Sequence, residues 1–381
     1  MIAGLIFGFL PLAIWLYLLL GRDGFWRMKE RDSLDVALPP HWPSVVAVVP
    51  ARNEADVIQQ SLASLLAQNY AGDFRIVLVD DQSDDGTGDL ARALNADRLS
   101  VVSGCPRPAG WTGKLWAMCQ GTEIAGAAEF LWFTDADIAH SPDNLSRLVA
   151  RAEEDKRVLV SLMARLSCRT TAEHFLIPAF VFFFDMLFPF GAVNNPMRKV
   201  AAAASGCMLV RRVGLEGAGG IAAIRNNIID DCALARALKA QGSVWLGLTD
   251  RAVSLRPYEH LADIRKMVAR SAYAQLGYSP LMLAGTLLGL FVIYIAPVLA
   301  MLFAWYYVQL AGALTWIIMA VMFQPILRFY RLAPWWGFLL PLIGAFYAAF
   351  TLDSAILHWT GRGGMWKGRP QAGEKAAGQK A

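Results

Sequence analysis

Two long apolar stretches, the first uncharged and the second almost uncharged, constrain this sequence more than any other feature. The first covers residues 2–20, and the second runs from 281 to 359 with only scattered polar breaks. A helix needs about 20 apolar residues to cross roughly 30 Å of hydrocarbon. Over the whole chain 56% of the residues are hydrophobic and 17% are charged, with a mean hydropathy of +0.39, so a water-soluble domain cannot account for all of it. Part of the chain must lie in a membrane.

The first stretch predicts a transmembrane anchor over residues 1–21. A cleaved signal peptide is the alternative, but signal peptides carry their basic residues before a shorter apolar core, and here the basic residues follow it. These residues also mark the cytoplasmic side by the positive-inside rule. The middle of the chain is therefore predicted to be cytosolic. The basic residues are Arg22, Arg27, Lys29 and Arg31.

The second stretch predicts a membrane region over residues 281–360, preceded by an interfacial segment over 261–280 and followed by a basic, disordered tail over 361–381. Polar breaks divide the stretch into three apolar blocks. Three crossings would place the tail outside, whereas its basic residues favour the inside. One block is then re-entrant or interfacial, and residues 334–357, which contain Pro341 and Asp353, are the first candidate.

Cysteine content and charge restrict the compartment and the partners. The five cysteines are an odd number without any CxxC spacing, which fits reduced cytosolic thiols and no metal cluster. The net charge is only +4, and the basic residues cluster beside the apolar blocks. This pattern favours an anionic membrane surface as a partner and argues against nucleic acid.

Between the apolar regions, residues 40–260 alternate between strand and helix patterns. Four apolar runs read as buried strands, and they end at Pro50, Asp81, Gly104 and Asp137. A helical pattern follows each of the first three. Such alternation predicts a mostly parallel, right-handed wound α/β sheet, in which the carboxyl ends of the strands line a ligand crevice. Residues 200–212 read as a later strand, and residues 228–242 read as a helix.

A Phe-rich segment over residues 173–190 interrupts this alternation. It contains Asp185, Pro178 and Pro189, so a full membrane crossing is not expected. An interfacial helix, or the wall of a lipid-facing cleft, is one reading of the segment. A buried core helix is the other, and the sequence leaves both open.

Acidic residues stand at the ends of two predicted strands. Asp135 and Asp137 end one, and burying unpaired carboxylates is too costly for them to form a dry core. A divalent metal on a diphosphate is the chemistry that suits them, because Mg²⁺ prefers one or two carboxylates together with water and phosphate oxygens. Asp80 and Asp81 end another strand, where they could accept hydrogen bonds from a ribose or a base edge. Capping of the next helix is the alternative role.

Two further residues are candidates near those strand ends. Lys114 precedes a predicted helix start, where a cation and unpaired backbone N–H groups could bind phosphate, although the spacing is not that of a Walker A loop. An ordinary surface lysine is the alternative. His140 could act as a further metal ligand, or it could be structural in the turn before Pro142.

Four motifs occur in a fixed order along residues 44–250. They are "PARNEA" after the first strand, "DDQSDDGT" after the second, "DAD" after the fourth, and "DD" before "CALARALKAQG". Together they resemble the family 2 glycosyltransferases of the GT-A fold, and most closely those associated with hopanoid biosynthesis, with bacterial carotenoid and ceramide glycosyltransferases as cousins. The resemblance implies a GT-A domain with one N-terminal and about three C-terminal membrane helices.

The resemblance also implies roles for individual residues. It makes Asp231 the general base and Asp230 the residue that orients the acceptor, and it implies transfer with inversion. Asp135 and Asp137 would hold the sugar, the ribose and a Mg²⁺ or Mn²⁺ ion, with Lys114 beside the diphosphate. The remaining implied donor contacts are Ala51, Arg52, Glu54, Asp80 and Asp81.

One family motif is missing. Processive members carry QxxRW near the membrane, and the corresponding segment here has Arg270 but Met267 and Ser271 in place of the Gln and Trp. This departure favours a single sugar transfer over polymerisation. Arg270 is expected to bind phosphate or the acceptor, or alternatively lipid headgroups.

These observations predict a multi-pass protein of the bacterial inner membrane with its catalytic domain facing the cytosol. It would transfer one sugar from a nucleotide-sugar, expected to be a UDP-sugar, to a lipid acceptor in hopanoid or related metabolism. A non-catalytic nucleotide-binding scaffold or transport-associated protein is the alternative. A nucleotide-binding dehydrogenase is disfavoured, because the turn after the first strand lacks GxGxxG.

Overall fold

The computed structural model describes residues 2–32, 36–363, 365–367 and 369–370, with backbone only for residues 2–7, 365–366 and 369–370. The chain forms two compact units, which we call the sheet unit and the helical unit. The sheet unit comprises Glu30–Ser167, Ala192–Pro257 and Gly364–Ala381. The helical unit comprises Met1–Lys29, Cys168–Gly191 and Tyr258–Gly363.

The sheet unit is built on one eight-stranded sheet with the order β3-β2-β1-β4-β7-β6-β8-β5. Strands β1, β2, β3 and β4 are mutually parallel where they pair, and β6 is parallel to β8. Strand β7 is antiparallel to both of its neighbours, and β5 is antiparallel to β8. The strands are β1 Val45–Ala51, β2 Phe74–Asp80, β3 Leu99–Ser103, β4 Phe130–Phe133, β5 Ile138–His140, β6 Leu159–Arg165, β7 Met208–Arg211 and β8 Val244–Ser254.

The central strands β1 and β4 determine which residues meet at one edge of the sheet. Every residue of β1 and β4 is buried, as expected for strands covered on both faces, whose sequences read as continuous apolar runs. The register pairs Ala51 with Asp80 and Val48 with Phe133. The residues that follow β4 therefore emerge at the same edge of the sheet as the ends of β1 and β2. The predicted mostly parallel α/β domain is confirmed. The later predicted strand is shorter than residues 200–212, since only Met208–Arg211 pair.

Helices follow most of the strands and make up nearly all of the helical unit. The sheet unit also has a 3₁₀ turn at Ile221–Ile224, and the helical unit has 3₁₀ turns at Phe25–Arg27 and Pro334–Leu339 and a π-helical turn at Phe291–Ile295. The helices are α1 Ile2–Leu20, α2 Ile58–Leu66, α3 Thr87–Arg92, α4 Gly113–Ile124, α5 Asn144–Glu154, α6 Thr171–Leu187, α7 Phe190–Asn194, α8 Arg212–Gly217, α9 Asp230–Lys239, α10 Leu261–Ala269, α11 Ala272–Gln275, α12 Pro280–Leu290, α13 Ala296–Phe303, α14 Tyr306–Met322, α15 Gln324–Phe329 and α16 Leu340–Trp359.

The helical unit contains three stretches long and apolar enough to cross a membrane. They are Pro280–Phe303, Tyr306–Phe329 and Pro334–Trp359, and a shorter apolar stretch, Gly8–Leu20, lies in α1. The predicted set of one N-terminal and about three C-terminal apolar helices is confirmed. The Phe-rich segment forms α6, whose first turn is closed by a capping box between Thr170 and Glu173.

The carboxyl-terminal segment differs from its prediction. The tail was expected to be disordered, yet Met365–Trp366 and Arg369–Pro370 pair as two short antiparallel strands, β9 and β10, within the sheet unit. Lys367, which directly follows β9, forms an ion pair that is described below. The rest of the tail, residues 371–381, lies outside the described residues.

Candidate active site

Lys114 lies at the centre of the candidate site. It occupies the first turn of α4, where the Thr112 hydroxyl caps the helix by accepting a hydrogen bond from the Leu115 N–H. The Lys114 Nζ atom lies 2.7 Å from Asp135 Oδ1 and 3.0 Å from Asp230 Oδ2. Its side chain is 13% exposed. The sequence-predicted lysine and two of the predicted carboxylates are therefore in direct contact.

The charge of Lys114 is set by two opposing effects. Burial alone would lower the pKa of the ammonium group, but the carboxylates of Asp135 and Asp230 more than compensate and raise it above its ordinary value. Lys114 therefore stays protonated at any pH at which the protein would work. A fixed positive charge results between two carboxylates at the edge of the sheet.

Asp231 lies in the first turn of α9, beside this ion pair. Its Oδ1 accepts a hydrogen bond of 2.7 Å from the Cys232 N–H, and its Oδ2 accepts one of 3.2 Å from the Ser205 N–H. The pKa of Asp231 is raised to about 6, mainly by burial and then by the negative charge of Asp230, while Lys114 opposes both effects. A carboxylate with a pKa near the working pH suits a general base.

Ser205 links the two acidic positions, and sequence reasoning missed it. Its hydroxyl donates to Asp135 Oδ2 at 3.0 Å, and its N–H donates to Asp231. The residue stands in "AAAASGC", where a lone polar side chain among small residues just before β7 was the available signal. A narrow cleft lies here. Its lining includes Pro50, Lys114, Phe133, Thr134, Asp135 and Ser205.

The influence of Asp230 on Asp231 gives a pH prediction. A general base acts in its ionised form, so turnover should fall as the pH drops through the pKa of Asp231. Asp230→Asn removes the neighbouring negative charge that raises this pKa. We expect the acid limb of the normalised pH–rate profile to move to lower pH in Asp230→Asn, whatever its maximal rate. An unmoved acid limb would show that another group controls it.

A second charged cluster surrounds Glu54. The Arg256 guanidinium bridges two carboxylates, with Nη2 at 2.6 Å from Glu54 Oε2 and Nε at 2.9 Å from Asp137 Oδ2. Lys367, from the short hairpin of the tail, places its Nζ 3.0 Å from Glu54 Oε1 and donates to the Asn53 carbonyl at 2.7 Å. Two predicted acids, Glu54 and Asp137, are therefore neutralised by cations of this chain.

The environment of Glu54 shifts its titration. The pKa of Glu54 is raised to about 7, mainly by burial and in part by the charge of Asp137, while Arg256 and Lys367 oppose the increase. Near neutral pH this carboxyl group is therefore partly protonated. It can then donate as well as accept a hydrogen bond, a property useful in recognising a polar ligand.

Sequence reasoning missed both cations of this cluster. Arg256 lies two residues beyond the end of β8, so the rule that placed acids at strand ends could have found it. Lys367 gave no such signal, because it stands in a short basic segment more than 300 residues from Glu54 in the chain.

Removing the bridge should have a measurable but modest cost. Arg256→Gln leaves Glu54 and Asp137 close together without their shared cation. Because the Arg256 side chain is 34% exposed, we expect the free energy of unfolding to fall by only about 1 kcal/mol. Urea denaturation in detergent measures this. Arg75→Gln, at an exposed pair with Asp73, is the matched control and should change stability little. An equal loss in both variants would contradict a specific role for the bridge.

The loops after β1 and β2 hold the other predicted donor contacts together. Arg52 Nη1 donates to the carbonyls of Asp81 and Gln82, the latter at 2.9 Å, and its Nε donates to the Lys367 carbonyl at 3.3 Å. The Asp81 N–H donates to the Ala51 carbonyl at 2.8 Å. Ala51, Arg52 and Asp81 are therefore brought together.

Asp80 has a local structural role in addition. Its Oδ1 accepts a hydrogen bond of 3.0 Å from the Ser83 N–H and so closes the turn that follows β2. Its other oxygen lies close to α3, and a Cβ at Gly88 would stand only 2.4 Å from it. The first turn of α3 can approach the strand end this closely because that position is glycine.

His140 does not join the acidic residues. The Thr134 hydroxyl donates to the Gly206 carbonyl at 2.9 Å and accepts from His140 Nε2 at 2.8 Å, which leaves Nδ1 to accept from the Asn144 amide at 3.0 Å. The ring also packs against Trp132. Burial lowers the pKa of His140 to about 3, so the ring is neutral. Both ring nitrogens are used within the core, which argues against the predicted role as a metal ligand.

Arg270 belongs to the helical unit. It follows the last residue of α10 and is exposed. Its role toward phosphate or acceptor stays a prediction. Among the residues that the structure describes, no group of three or more His, Cys, Asp or Glu side chains is arranged to hold a metal ion.

Much of the sheet unit matches a known protein family. Residues 46–217 match the model of the family described as glycosyl transferase family 2. The chain carries a family 2 glycosyltransferase domain. This confirms the family-level resemblance, and enzymes of this kind transfer sugars from nucleotide-sugar donors. No curated protein matches the chain.

One solved structure shows the same fold as this chain. A mannosyltransferase from Pyrobaculum calidifontis, solved with GDP-mannose and Mn²⁺, is 20% identical, with a TM-score of 0.56 over 94% of this chain and 97% of that chain. Mannosyl-3-phosphoglycerate synthase from Rubrobacter xylanophilus is 18% identical, with a TM-score of 0.40 over 70% of this chain and 85% of that one. At 20% identity, the likeness to the Pyrobaculum mannosyltransferase shows the fold alone.

Proposed function

We propose that this chain is a membrane-bound, inverting glycosyltransferase that moves a single sugar from a nucleotide-sugar to a lipid acceptor. The observation that carries the proposal is the cluster of Asp231, Lys114 and Asp135 at the edge of the sheet. It combines a near-neutral base, a fixed cation and a carboxylate, all linked through Ser205 or by ion pairs. These are the parts that transfer of a sugar to a hydroxyl group requires.

Asp231 is proposed to take the proton from the acceptor hydroxyl. Its carboxylate is held by two backbone N–H groups, so its orientation is fixed before the acceptor binds. The freed oxygen then attacks the anomeric carbon opposite the departing diphosphate. A single displacement of this kind inverts the configuration at that carbon.

Lys114 is proposed to stabilise the negative charge that develops on the leaving diphosphate. Its positive charge is permanent and close to the cleft, and it is already held by Asp135 and Asp230. A preorganised cation in a partly buried site costs little reorganisation during the reaction. Arg256 lies on the second carboxylate of the motif, Asp137, and supplies another cation at the donor side.

The donor set also fits a divalent cation. Asp135 and Asp137 offer carboxylate oxygens, the ligands that Mg²⁺ and Mn²⁺ favour, and water and phosphate oxygens would complete the coordination. Such an ion would neutralise charge on the diphosphate of the bound donor. Lys114 and Ser205 contact Asp135, and Arg256 contacts Asp137. His140 is not part of the proposed site.

The nucleotide is proposed to bind over the loops after β1 and β2. The resemblance places its contacts at Ala51, Arg52, Glu54, Asp80 and Asp81. A UDP-sugar is the first expectation, and the GDP-mannose complex of the Pyrobaculum protein makes a GDP-sugar the second.

The proposal of a lipid acceptor is supported by the apolar helices that accompany the domain in the same chain. Three apolar helical stretches long enough for a membrane accompany the glycosyltransferase domain in one chain, so a sugar acceptor held in the bilayer is within the reach of the same protein. We propose a hopanoid or a related lipid as acceptor, a bacterial inner-membrane location and a cytosolic catalytic domain. The support is the resemblance in the motifs and the basic residues that flank the apolar stretches.

A donor panel tests the proposal. Detergent-purified protein is incubated with UDP- and GDP-sugars and bacterial lipid extract, with and without EDTA, and release of nucleoside diphosphate is measured. Release that needs both lipid and metal, and that is lost in Asp137→Ala, is the expected result. Tight nucleotide binding without release across the whole panel would instead favour a non-catalytic scaffold.

A further inference from the structure

We propose that the Pro334–Trp359 stretch, which contains α16, starts and ends on the same face of the membrane and does not cross it, so that the chain crosses only twice between Pro280 and Trp359. Length and composition alone would allow Pro334–Trp359 to be a third crossing. The contacts inside the helical unit argue otherwise. The inference concerns how this chain meets the lipid surface, and it does not depend on the sugar-transfer reaction.

The two ends of the apolar region lie together. The ring of Tyr278, two residues before α12, stacks on the ring of His358 in the last turn of α16, with centroids 4.4 Å apart. The ring of Tyr273 lies 5.7 Å from that of Trp359. Three crossings would put these two ends on opposite sides of roughly 30 Å of hydrocarbon. An even number of crossings is therefore required.

The hairpin between α13 and α14 marks the opposite end of the bundle. The chain reverses over Ala304 and Trp305, and close to this turn Gly8 of α1 meets Val308 of α14. The side chains around the turn are large, aromatic and exposed, as in the aromatic belt at a membrane interface. They are Phe303, Trp305, Tyr306 and Tyr307.

The 3₁₀ turn that precedes α16 contacts α14 and α15. The Trp316 indole donates to the Phe338 carbonyl at 2.9 Å, and the Gln324 amide donates to the Pro334 carbonyl at 3.1 Å. Trp316 lies near the middle of the Tyr306–Phe329 stretch, and Gln324 lies nearer the end that is remote from the hairpin. Arg328 and Arg331 follow directly, and basic residues at this point favour the cytoplasmic face.

The middle of α16 packs on α6 and on the π-helical turn. The Tyr347 hydroxyl donates to the Leu176 carbonyl at 2.9 Å, and Gly344 lies against Tyr294. The rings of Phe183 and Tyr347 are 4.8 Å apart. The middle of α16 therefore lies beside Tyr294, just past the midpoint of the Pro280–Phe303 stretch, whereas its last turn lies beside Tyr278, just before that stretch begins. The helix thus returns to the end of the bundle from which that stretch starts.

The last turns of α16 bear polar groups that a lipid-embedded helix would not favour. Asp353 lies 3.6 Å from Arg265 of α10, and Ser354 both donates to the Ala269 carbonyl and accepts from the Tyr273 N–H. These partners belong to the predicted interfacial segment. The exposed apolar side chains of α16 are left to face lipid. They include Leu342, Leu352, Ile356 and Trp359.

Cysteine labelling in sealed vesicles tests the parity. Single cysteines replace Arg362 after α16, Trp305 at the hairpin and Asp97 on the glycosyltransferase domain, all exposed, in a background with Cys105, Cys119 and Cys168 changed to Ser. A membrane-impermeant maleimide is applied to inside-out and right-side-out vesicles. We expect Arg362→Cys to react in the same orientation as Asp97→Cys, and Trp305→Cys in the other. Reaction of Arg362→Cys together with Trp305→Cys would overturn the proposal.

Spin-label depth measurements test the position of the helix itself. Labels at Leu342, Leu352 and Ile356 of α16 should all report one leaflet, without passing through the bilayer centre. Matched labels on α14, at Leu310, Leu314 and Val321, should pass through it, which also shows that the protein is inserted. A profile on α16 that rises to the centre and falls again toward the far side would contradict the proposal.

Discussion

Asp231→Asn is expected to lower turnover by about 10²- to 10⁴-fold, the contribution of a general base, while donor affinity changes little. The asparagine amide keeps the size of the carboxylate, and its single oxygen can still accept one of the two hydrogen bonds that the Ser205 and Cys232 N–H groups donate to Asp231. It cannot take a proton from the acceptor. Steady-state rates of nucleoside diphosphate release, combined with equilibrium titration of the donor, separate the two effects.

The control for this substitution is another aspartate with a charge partner. Asp250 is 62% exposed and pairs with Arg165 in the same unit, so Asp250→Asn should retain near-normal turnover. If Asp231→Asn turned over as fast as Asp250→Asn, no base would act at this position, and the role proposed for Asp231 would be wrong.

Lys114→Met is expected to destabilise the protein by about 3 to 5 kcal/mol, since it removes one member of a buried charge network and leaves its partners unpaired. Those partners are Asp135 and Asp230, which both contact the ammonium group. Without it, the pKa of the nearby Asp231 should also rise, because Lys114 now opposes the effects of burial and of Asp230. Chemical denaturation measures the stability, and turnover should be lost with it.

A double substitution separates charge from packing. If unpaired carboxylates cause the loss, Lys114→Met combined with Asp135→Asn should recover part of the stability, a coupling expected for residues in contact. Lys156→Met is the matched control, because Lys156 is 77% exposed and should change stability by no more than about 0.5 kcal/mol. A loss that is no smaller in the double variant would point to lost packing instead.

The main features of the fold were predictable because each has a local cause. Fully buried parallel strands need continuous apolar runs, and β1 and β4 show them plainly. Parallel strands share their carboxyl edge, so polar residues just beyond those runs meet there. This reasoning predicts that Asp135 and Lys114 lie at one site, and the two side chains contact each other.

The remaining features depend on contacts that leave no local trace. His140 looked available for a metal because it follows two acids, but the alternation of the short β5 strand turns it into the core toward Thr134 and Asn144. Lys367 reaches Glu54 across most of the chain, and no periodicity in its short segment predicts that pairing. The proposed path of α16 was indicated in part, because three crossings conflict with the basic tail and residues 334–357 were the first candidate for a re-entrant or interfacial block. Hydropathy alone does not distinguish a crossing helix from one that rests on its neighbours.

The most direct measurement is to follow a labelled sugar from a nucleotide-sugar into lipid. The purified protein is reconstituted with bacterial lipid extract, Mn²⁺ and the donor that the panel selects, and the organic phase is extracted and counted. We predict that the wild-type protein moves label into a glycolipid of inverted anomeric configuration and that Asp231→Asn does not. Label recovered only as free sugar in water, or only as unreacted donor, would contradict transfer to a lipid.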